Sequence, residues 1–408
     1  MPMTSPTPRG ALAGLSLCML LASLGTSIAN VGLPQMAETF AAPFAAVQWV
    51  VLSYLLAITA VLVSVGRLGD RLGHRRLLLT GVMLFAVACV LCSAAPSLGM
   101  LVAARALQGF GAAIMLAMTM ALVAATVPKA QTGRVMGLLG TLSAVGTGLG
   151  PAIGGALIVA SGWRALFLIM LPLAALAWVL VHRTLADSNP QTSAAGRSSV
   201  FAALHDRALG AGLGMSTLVA AVMMTTLVAG PFYLSHGLGL DPAQMGLTMA
   251  VGPCITALAG MPAGRLTDRC GSYATTLGGL LCMLAGCLVL ALMPLGITGY
   301  IGALVILTLG YAQFQAANNP AVMSHVSADR RGVIAGWLNL SRNLGLIIGA
   351  WALGAVFAWS TGDIHSALPI AVGHGLRMTF WVASGLVALA LLLAFTRRVK
   401  TLQASTAP

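Results

Sequence analysis

The chain has 408 residues, of which 59% are hydrophobic and 7% are charged, with a mean hydropathy of +0.96 and a formal net charge of +13. A water-soluble domain needs a charged surface, so this balance excludes an ordinary soluble protein and indicates lipid as the solvent. A nucleic-acid partner is not expected either, because no basic stripe is interleaved with aromatic residues.

Twelve apolar segments are long enough to cross a bilayer, since about 20 residues rising about 1.5 Å each span its hydrocarbon core. The first segment is too long for a removable signal peptide and lacks a small-residue cleavage site, so we expect it to stay in the membrane. Frequent glycine and proline are tolerated in a membrane bundle, where small residues let helices approach closely. The predicted spans are residues 11–33, 48–65, 77–95, 98–125, 133–160, 165–181, 209–233, 244–263, 273–293, 299–323, 333–359 and 376–395.

The basic residues are distributed unevenly between the loops. Of the 21 lysines and arginines, Arg105 and Arg342 lie within spans and only Arg164 and Arg377 lie in loops of one side, which leaves 17 on the other side. This asymmetry is the positive-inside pattern. It predicts a multi-pass protein of a bacterial-type inner (plasma) membrane, with both termini in the cytoplasm.

A six-span unit is duplicated along the chain. Residues 66–73 recur as residues 264–271, with six of eight positions identical at an offset of 198. Each segment follows the second span of its half on the same side of the membrane, which indicates parallel repeats. At an offset of 199, Gly133, Gly137, Gly146, Gly150 and Gly155 match Gly332, Gly336, Gly345, Gly349 and Gly354.

The repeat predicts an all-α membrane protein of twelve transmembrane helices in two six-helix halves. The N-terminal half covers residues 1–183, the C-terminal half covers residues 208–396, and residues 397–408 form a cytoplasmic tail. Residues 184–207 join the halves, and their Ser, Asn and Pro content is typical of a flexible cytoplasmic linker. A regulatory segment is the alternative.

Several segments together resemble a known family. Residues 66–76, GRLGDRLGHRR, resemble the cytoplasmic loop signature of the major facilitator superfamily. Four further parts of the chain resemble the drug:proton antiporter branch of that superfamily: residues 28–34 together with 48–50, residues 105–111, residues 137–155 and residues 339–345. The resemblance covers essentially the whole chain. It implies the major facilitator fold, whose two halves are parallel repeats related by an axis along the membrane normal.

The resemblance implies a gating role for the loop signature. Asp70 lies beside two arginines, and a carboxylate that gains a helix N-terminus or a basic partner contributes about 0.3–2 kcal/mol. That is enough to bias a near-balanced equilibrium between two access states. The alternative is that this segment only determines the orientation of the helices in the membrane, but that role would not need an aspartate. The predicted gating residues are Gly66, Asp70, Arg71, Gly73, Arg75 and, in the second copy, Asp268.

Span five carries the antiporter signature of the exporters. Its glycines lie four apart and predict a smooth groove for a neighbouring helix, and a proline within the span frees a carbonyl and permits a bend. Packing and a hinge are both expected here. The predicted hinge residues are Gly137, Gly146, Gly150, Pro151, Gly154 and Gly155.

Polar side chains within the spans predict a central cavity, because charges in the membrane are costly and mark functional sites. The resemblance implies proton or substrate coupling for Arg105, with snorkelling to the outer face as the alternative. Arg342 lies too deep in span eleven to snorkel easily. For the single Asn and Thr residues, hydrogen bonds between helices are the alternative. The predicted cavity residues are Thr26, Asn30, Arg105, Gln108, Gln315, Asn318, Asn319, Asn339, Arg342 and Asn343.

The acidic residues depart from the family pattern. All eight acids fall in loops or at span ends, and Gly25 stands where many drug:proton antiporters carry an aspartate. The spans therefore lack a carboxylate that would carry a proton or bind a lipophilic cation. The sequence favours a substrate that is anionic, or neutral and polar. Proton transfer through Glu38, Asp363 or His374 near the outer face is the rival hypothesis.

The sequence predicts a secondary active exporter of a small organic molecule that works by alternating access, acts as a monomer in the lipid bilayer and uses no cofactor or metal. Coupling to protons stays open. An importer of an anionic nutrient is the main alternative, followed by a non-transporting membrane sensor. No enzyme is expected, because no metal cluster or nucleophile–base pair is present. Cys89 and Cys92 suit packing better than redox or metal chemistry.

Overall fold

The computed structural model describes residues 9–127, 129–185, 207–293, 296–324 and 331–405, and the regular structure in these ranges is helical. Two short π-helices, Tyr233–Gly237 and Gly349–Leu353, interrupt the α-helices. The α-helices are α1 (Arg9–Val31), α2 (Leu33–Thr39), α3 (Phe44–Val47), α4 (Trp49–Leu72), α5 (His74–Ala94), α6 (Leu98–Thr126), α7 (Lys129–Ser161), α8 (Ala165–Leu168), α9 (Met170–Thr184), α10 (Arg207–Phe232), α11 (Pro242–Leu292), α12 (Ile297–Ser324), α13 (Arg331–Ile348), α14 (Gly354–Thr361) and α15 (Pro369–Ser405).

The described residues contain 11 helical stretches that are long and apolar enough to cross a membrane. One of them, α11, has 51 residues, and its backbone leaves the helical conformation at Gly271. A helix of that length is about twice what the hydrocarbon core requires. The two limbs of α11 correspond to the predicted spans eight and nine, so the helices agree with the twelve-span prediction.

The two copies of the predicted loop signature share one backbone conformation. Gly73 ends α4 with φ 87° and ψ 131°, and Gly271 breaks α11 with φ 81° and ψ 156°. Only glycine adopts this region without strain, which explains why both copies end on glycine. The prediction of a loop over residues 66–76 was wrong in extent. Helix α4 continues to Leu72, because residues 66–72 are compatible with a helix and only Gly73 leaves the helical conformation.

The chain forms two compact units. Unit 1 comprises residues 1–42, 49–195 and 242–247, and unit 2 comprises residues 43–48, 196–241 and 248–408. Within unit 1, α1 packs along α7 and α9, and α6 packs along α4 and α5. Within unit 2, α10 packs along α13, α15 and α12. The predicted linker at residues 184–207 falls almost entirely outside the described residues.

Glycines mark the closest helix contacts in both units. In unit 1, a Cβ at Gly146 of α7 would lie 2.7 Å from the Leu20 carbonyl oxygen of α1, and Gly150 and Gly154 continue this face against the same helix. In unit 2, Gly345 of α13 meets the Thr217 carbonyl oxygen of α10 in the same way. Small residues that let two backbones touch are the usual contact between membrane helices. The groove predicted for span five is therefore a packing surface, and its copy performs the same packing in unit 2.

Candidate functional site

Unit 2 contains a cavity of about 260 Å³ between α10, α12 and α13. Ser216 comes from α10, where it is mostly buried, and Phe314 of α12 forms part of the apolar wall. The cavity thus combines apolar walls with several polar side chains, which is the usual make-up of a small-molecule site. Its lining residues are Ser216, Val219, Ala220, Tyr311, Phe314, Gln315, Asn319, Met323, Leu338, Asn339 and Arg342.

Among the described residues, Arg342 is the only charged one that lines this cavity, and its side chain is exposed. Asn339 lies three residues before it on α13, so both side chains share one face of the helix. On α12, Gln315 and Asn319 are four residues apart, and Asn319 Nδ2 donates to Gln315 Oε1 at 3.3 Å. The structure therefore brings together four of the predicted cavity residues, namely Arg342 and three amides.

Two other predicted residues lie beside this cavity but do not line it. Asn318 is fully buried, and its Nδ2 donates to the carbonyl oxygen of Gly212 at 3.1 Å and to Ser216 Oγ at 3.0 Å. Asn318 thus links α12 to α10, which was the alternative considered for single asparagines. Asn343 is half-buried on α13 and is not among the lining residues.

Sequence analysis missed seven of the eleven lining residues, and three of these contribute a hydroxyl group or aromatic surface. Ser216 contributes a hydroxyl, while Tyr311 and Phe314 contribute aromatic surface. Serine and aromatic residues are common in apolar spans, so their presence carries no signal by itself. The spacing of the aromatic residues is a weak signal, because Tyr311, Phe314 and Gln315 follow the i, i+3, i+4 pattern of one helix face.

The second predicted arginine, Arg105, lies in the interior of unit 1 and is 0% exposed. Its Nε donates to the Val50 carbonyl oxygen at 2.9 Å, its Nη1 to Gln108 Oε1 at 2.5 Å, and its Nη2 to the Gly25 carbonyl oxygen at 3.1 Å. Gln108 Nε2 in turn donates to Cys89 Sγ at 3.0 Å. The guanidinium therefore connects α1, α4 and α6 through neutral acceptors.

Aromatic rings cover the Arg105 guanidinium. Its central carbon lies 4.2 Å from the centre of the Tyr54 ring and 5.9 Å from that of Phe167. Cation–π contacts of this kind compensate part of the cost of burying the charge. The sequence predicted that Arg105 lines a cavity, whereas in the structure two rings and three hydrogen-bond acceptors enclose its guanidinium. Tyr54, whose ring covers the guanidinium, carried no signal in the sequence.

Thr26 and Asn30 also lie within unit 1. Thr26 Oγ1 donates to the Ala22 carbonyl oxygen at 3.1 Å, and Asn30 Nδ2 donates to the Thr26 carbonyl oxygen at 3.3 Å. Asn30 is 0% exposed, and its Oδ1 is buried without a hydrogen-bond partner in the described structure. Both side chains mainly bond to their own helix.

The predicted gating residues lie where each unit's helix ends at its glycine turn. Arg71 and Asp268 are exposed, and Arg75 Nη2 donates to the His182 carbonyl oxygen at 2.6 Å. This bond ties the start of α5 to the end of α9. The surroundings of Gly66, Asp70 and Gly137 lie outside the described residues.

Comparison with known proteins agrees with this fold. The family model described as Major Facilitator Superfamily matches residues 15–350, so the chain belongs to that superfamily of membrane transporters. It is 30% identical to Uncharacterized transporter YebQ of Escherichia coli (strain K12) over 88% of this chain and 91% of that protein. It is 28% identical to Multidrug efflux pump LfrA of Mycolicibacterium smegmatis (strain ATCC 700084 / mc(2)155), over 87% of this chain and 82% of LfrA.

The fold is also that of a solved structure. A bacterial homologue of the human lysosomal transporter Spinster, in an inward-facing and unoccupied conformation, superposes with a TM-score of 0.82 at 17% identity. The match covers 98% of this chain and 99% of that one. The fold, the multi-pass helices and the family together make this chain a membrane transporter.

Proposed function

We propose that this transporter exports a small organic molecule that is anionic, or neutral and polar, by alternating access. The observation that carries the proposal is the cavity of unit 2, in which Arg342 is the single charged residue among the described lining residues. An arginine keeps its charge at any physiological pH. Its side chain is exposed to the cavity, and a cleft lined by one sign of charge attracts molecules of the opposite charge.

The substrate class follows from the other lining residues. Amides at Gln315, Asn319 and Asn339 both donate and accept hydrogen bonds, which suits a carboxylate or a polar ring substituent beside the guanidinium. The Tyr311 and Phe314 side chains suit a flat apolar body. An acidic aromatic compound would use both parts of the cavity, whereas a lipophilic cation would meet an unfavourable charge.

Export is supported by the span-five signature and by the relative named as a multidrug efflux pump. The membrane potential also favours export if the substrate is an anion. A membrane potential that is negative inside favours outward movement of one negative charge by about 2.3 kcal/mol per 100 mV. Such efflux needs no proton carrier, which suits spans that hold no aspartate or glutamate at their centres. Gating by Asp70 and Asp268 and bending at Pro151 belong to the same proposal.

Ligand-induced thermal shifts of the purified protein test the substrate class. The probes are salicylate as an aromatic anion, chloramphenicol as a neutral polar compound and tetraphenylphosphonium as a lipophilic cation. We expect salicylate or chloramphenicol to raise the melting temperature and Arg342→Gln to lose the response to the anion. Arg183→Gln removes an exposed charge at the end of α9 and is the matched control. Stabilisation by the cation alone would contradict the proposal.

A further inference from the structure

A second cavity of unit 2 shares no lining residue with the first. It has a volume of about 360 Å³ and lies between the π-helix after α10, the end of α11 and the start of α15. The limb of α11 from Gly271 to Leu292 is about 30 Å long. The cavity therefore lies at the end of unit 2 that is opposite to the Gly271 turn.

The walls of this cavity are apolar and pass from buried to exposed. Leu290 and Leu376 are 1% and 2% exposed, whereas Met293 is 56% and Ile370 is 80% exposed. In a membrane protein, apolar side chains exposed on the outside of the helices contact acyl chains. The rim of the cavity thus offers surface for hydrocarbon, and its interior is closed by packed leucines.

In the described part of the chain, Arg377 is the only charged residue that lines this cavity. Its side chain is half-buried, and within the described part of the chain no carboxylate forms an ion pair with it. The sequence assigns Arg164 to the same side of the membrane, and the charge of Arg164 is better compensated by its neighbours. Its guanidinium carbon lies 4.4 Å from the centre of the Trp163 ring, and its Nη2 donates to the Ala95 carbonyl oxygen at 3.4 Å.

We propose that this cavity binds the headgroup of an anionic phospholipid, with the phosphate on Arg377 and the acyl chains along Met293 and Ile370. A guanidinium binds a phosphate through charge-assisted hydrogen bonds, and the exposed apolar side chains of the rim contact acyl chains. A soluble phosphate would offer the same charge, but it would leave the exposed apolar rim unused. The bilayer supplies a molecule that has both parts.

Native mass spectrometry of the purified full-length protein tests this site. The protein is titrated with phosphatidylglycerol or, as the zwitterionic comparison, phosphatidylethanolamine. One arginine near the membrane surface contributes about a fivefold gain in affinity for an anionic lipid. We expect Arg377→Gln to lose about that factor for phosphatidylglycerol and to leave phosphatidylethanolamine unchanged. Arg164→Gln removes an equal charge elsewhere and should bind as the wild type does.

A second variant tests the cavity without changing its charge. Gly373 lines it, and a Cβ at this position would lie 3.9 Å from the nearest atom of the Tyr233 ring. Gly373→Leu fills this space and should displace the bound phosphatidylglycerol even if Arg377→Gln fails to fold. Equal phosphatidylglycerol binding in the wild type and both variants would overturn the proposal. So would binding of sn-glycerol 3-phosphate as tightly as the lipid, which would assign the site to a soluble anion. Neither result depends on the transported substrate.

Discussion

Arg105 donates a hydrogen bond from Nη2 to the backbone carbonyl oxygen of Gly25 at 3.1 Å, at the position where many drug:proton antiporters carry an aspartate. A Cβ at Gly25 would lie 2.8 Å from Tyr54 Oη, so the tyrosine occupies the space that a side chain would need. Tyr54 Oη in turn donates to the Ala22 carbonyl oxygen at 2.8 Å. A neutral carbonyl and an aromatic ring therefore surround the arginine on the side of α1.

This arrangement predicts coupling between Gly25 and Tyr54. Gly25→Ala should lower stability by about 1–3 kcal/mol, because the added methyl group overpacks a closed site. Tyr54→Phe loses one hydrogen bond, worth about 1 kcal/mol, but removes the atom that the methyl group meets. We expect the double variant to lose less stability than the two single variants together, as measured by thermal unfolding in detergent. Strictly additive losses would contradict this contact.

The glycine contacts predict matched effects in the two units. Gly146→Ala and Gly345→Ala should each lower the melting temperature, because the new methyl groups meet the backbone of α1 and α10. Gly140 and Gly336 lie on the same helices with nothing within 4 Å of an added Cβ, so their alanine variants are the controls. We expect the controls to match or exceed the stability of the wild type. Equal losses of stability at all four positions would contradict this account, because the effect would then come from the glycine-to-alanine change itself and not from the contacts with α1 and α10.

The distribution of basic residues predicts the orientation in the membrane. Reporter fusions at Asn189 and at the C-terminus should give a cytoplasmic signal, and fusions at Pro96 or Gly296 a periplasmic one. Alkaline phosphatase and green fluorescent protein report opposite sides and so check each other. A periplasmic signal at Asn189 would rule out the model of two six-span halves.

The loop signature predicts unequal effects of its two carboxylates. Asp70→Asn should leave membrane insertion intact but strongly reduce transport, because it alters the balance of access states and removes no substrate contact. Asp268→Asn should have a milder effect, because Thr267 and Cys270 already depart from the first copy. Transport assays at matched expression measure both. Normal transport by Asp70→Asn would leave the signature without a gating role.

The sequence was sufficient to predict the helical class, the spans and the duplication, because each depends on repeated features. The glycines at 73 and 271 recur at a fixed offset, and their shared left-handed conformation follows from that residue type. The limits of the helices were predicted less well, since residues 66–72 suit a helix as well as a loop. The π-helix at Gly349–Leu353, which packs against α10, gave no signal in the sequence.

The candidate site was predicted in part for a similar reason. Arg342, Asn339, Gln315 and Asn319 were identified because polar residues are rare in spans, and they do line one cavity. Arg105 is just as conspicuous in the sequence, yet it is enclosed within its own unit. The difference lies in Tyr54 and Phe167, whose rings cover one arginine and not the other. Residue type alone does not tell which face of a helix is covered.

The most direct test of the central claim is substrate efflux from proteoliposomes driven by a membrane potential alone. The vesicles are loaded with the anion that gives the largest thermal shift, valinomycin and potassium set the loaded side negative, and the pH is held equal on both sides. We predict efflux that increases with the imposed potential, that is lost in Arg342→Gln and that persists in Arg183→Gln. Efflux that requires a pH gradient and ignores the potential would contradict an anion site at Arg342 as the basis of transport.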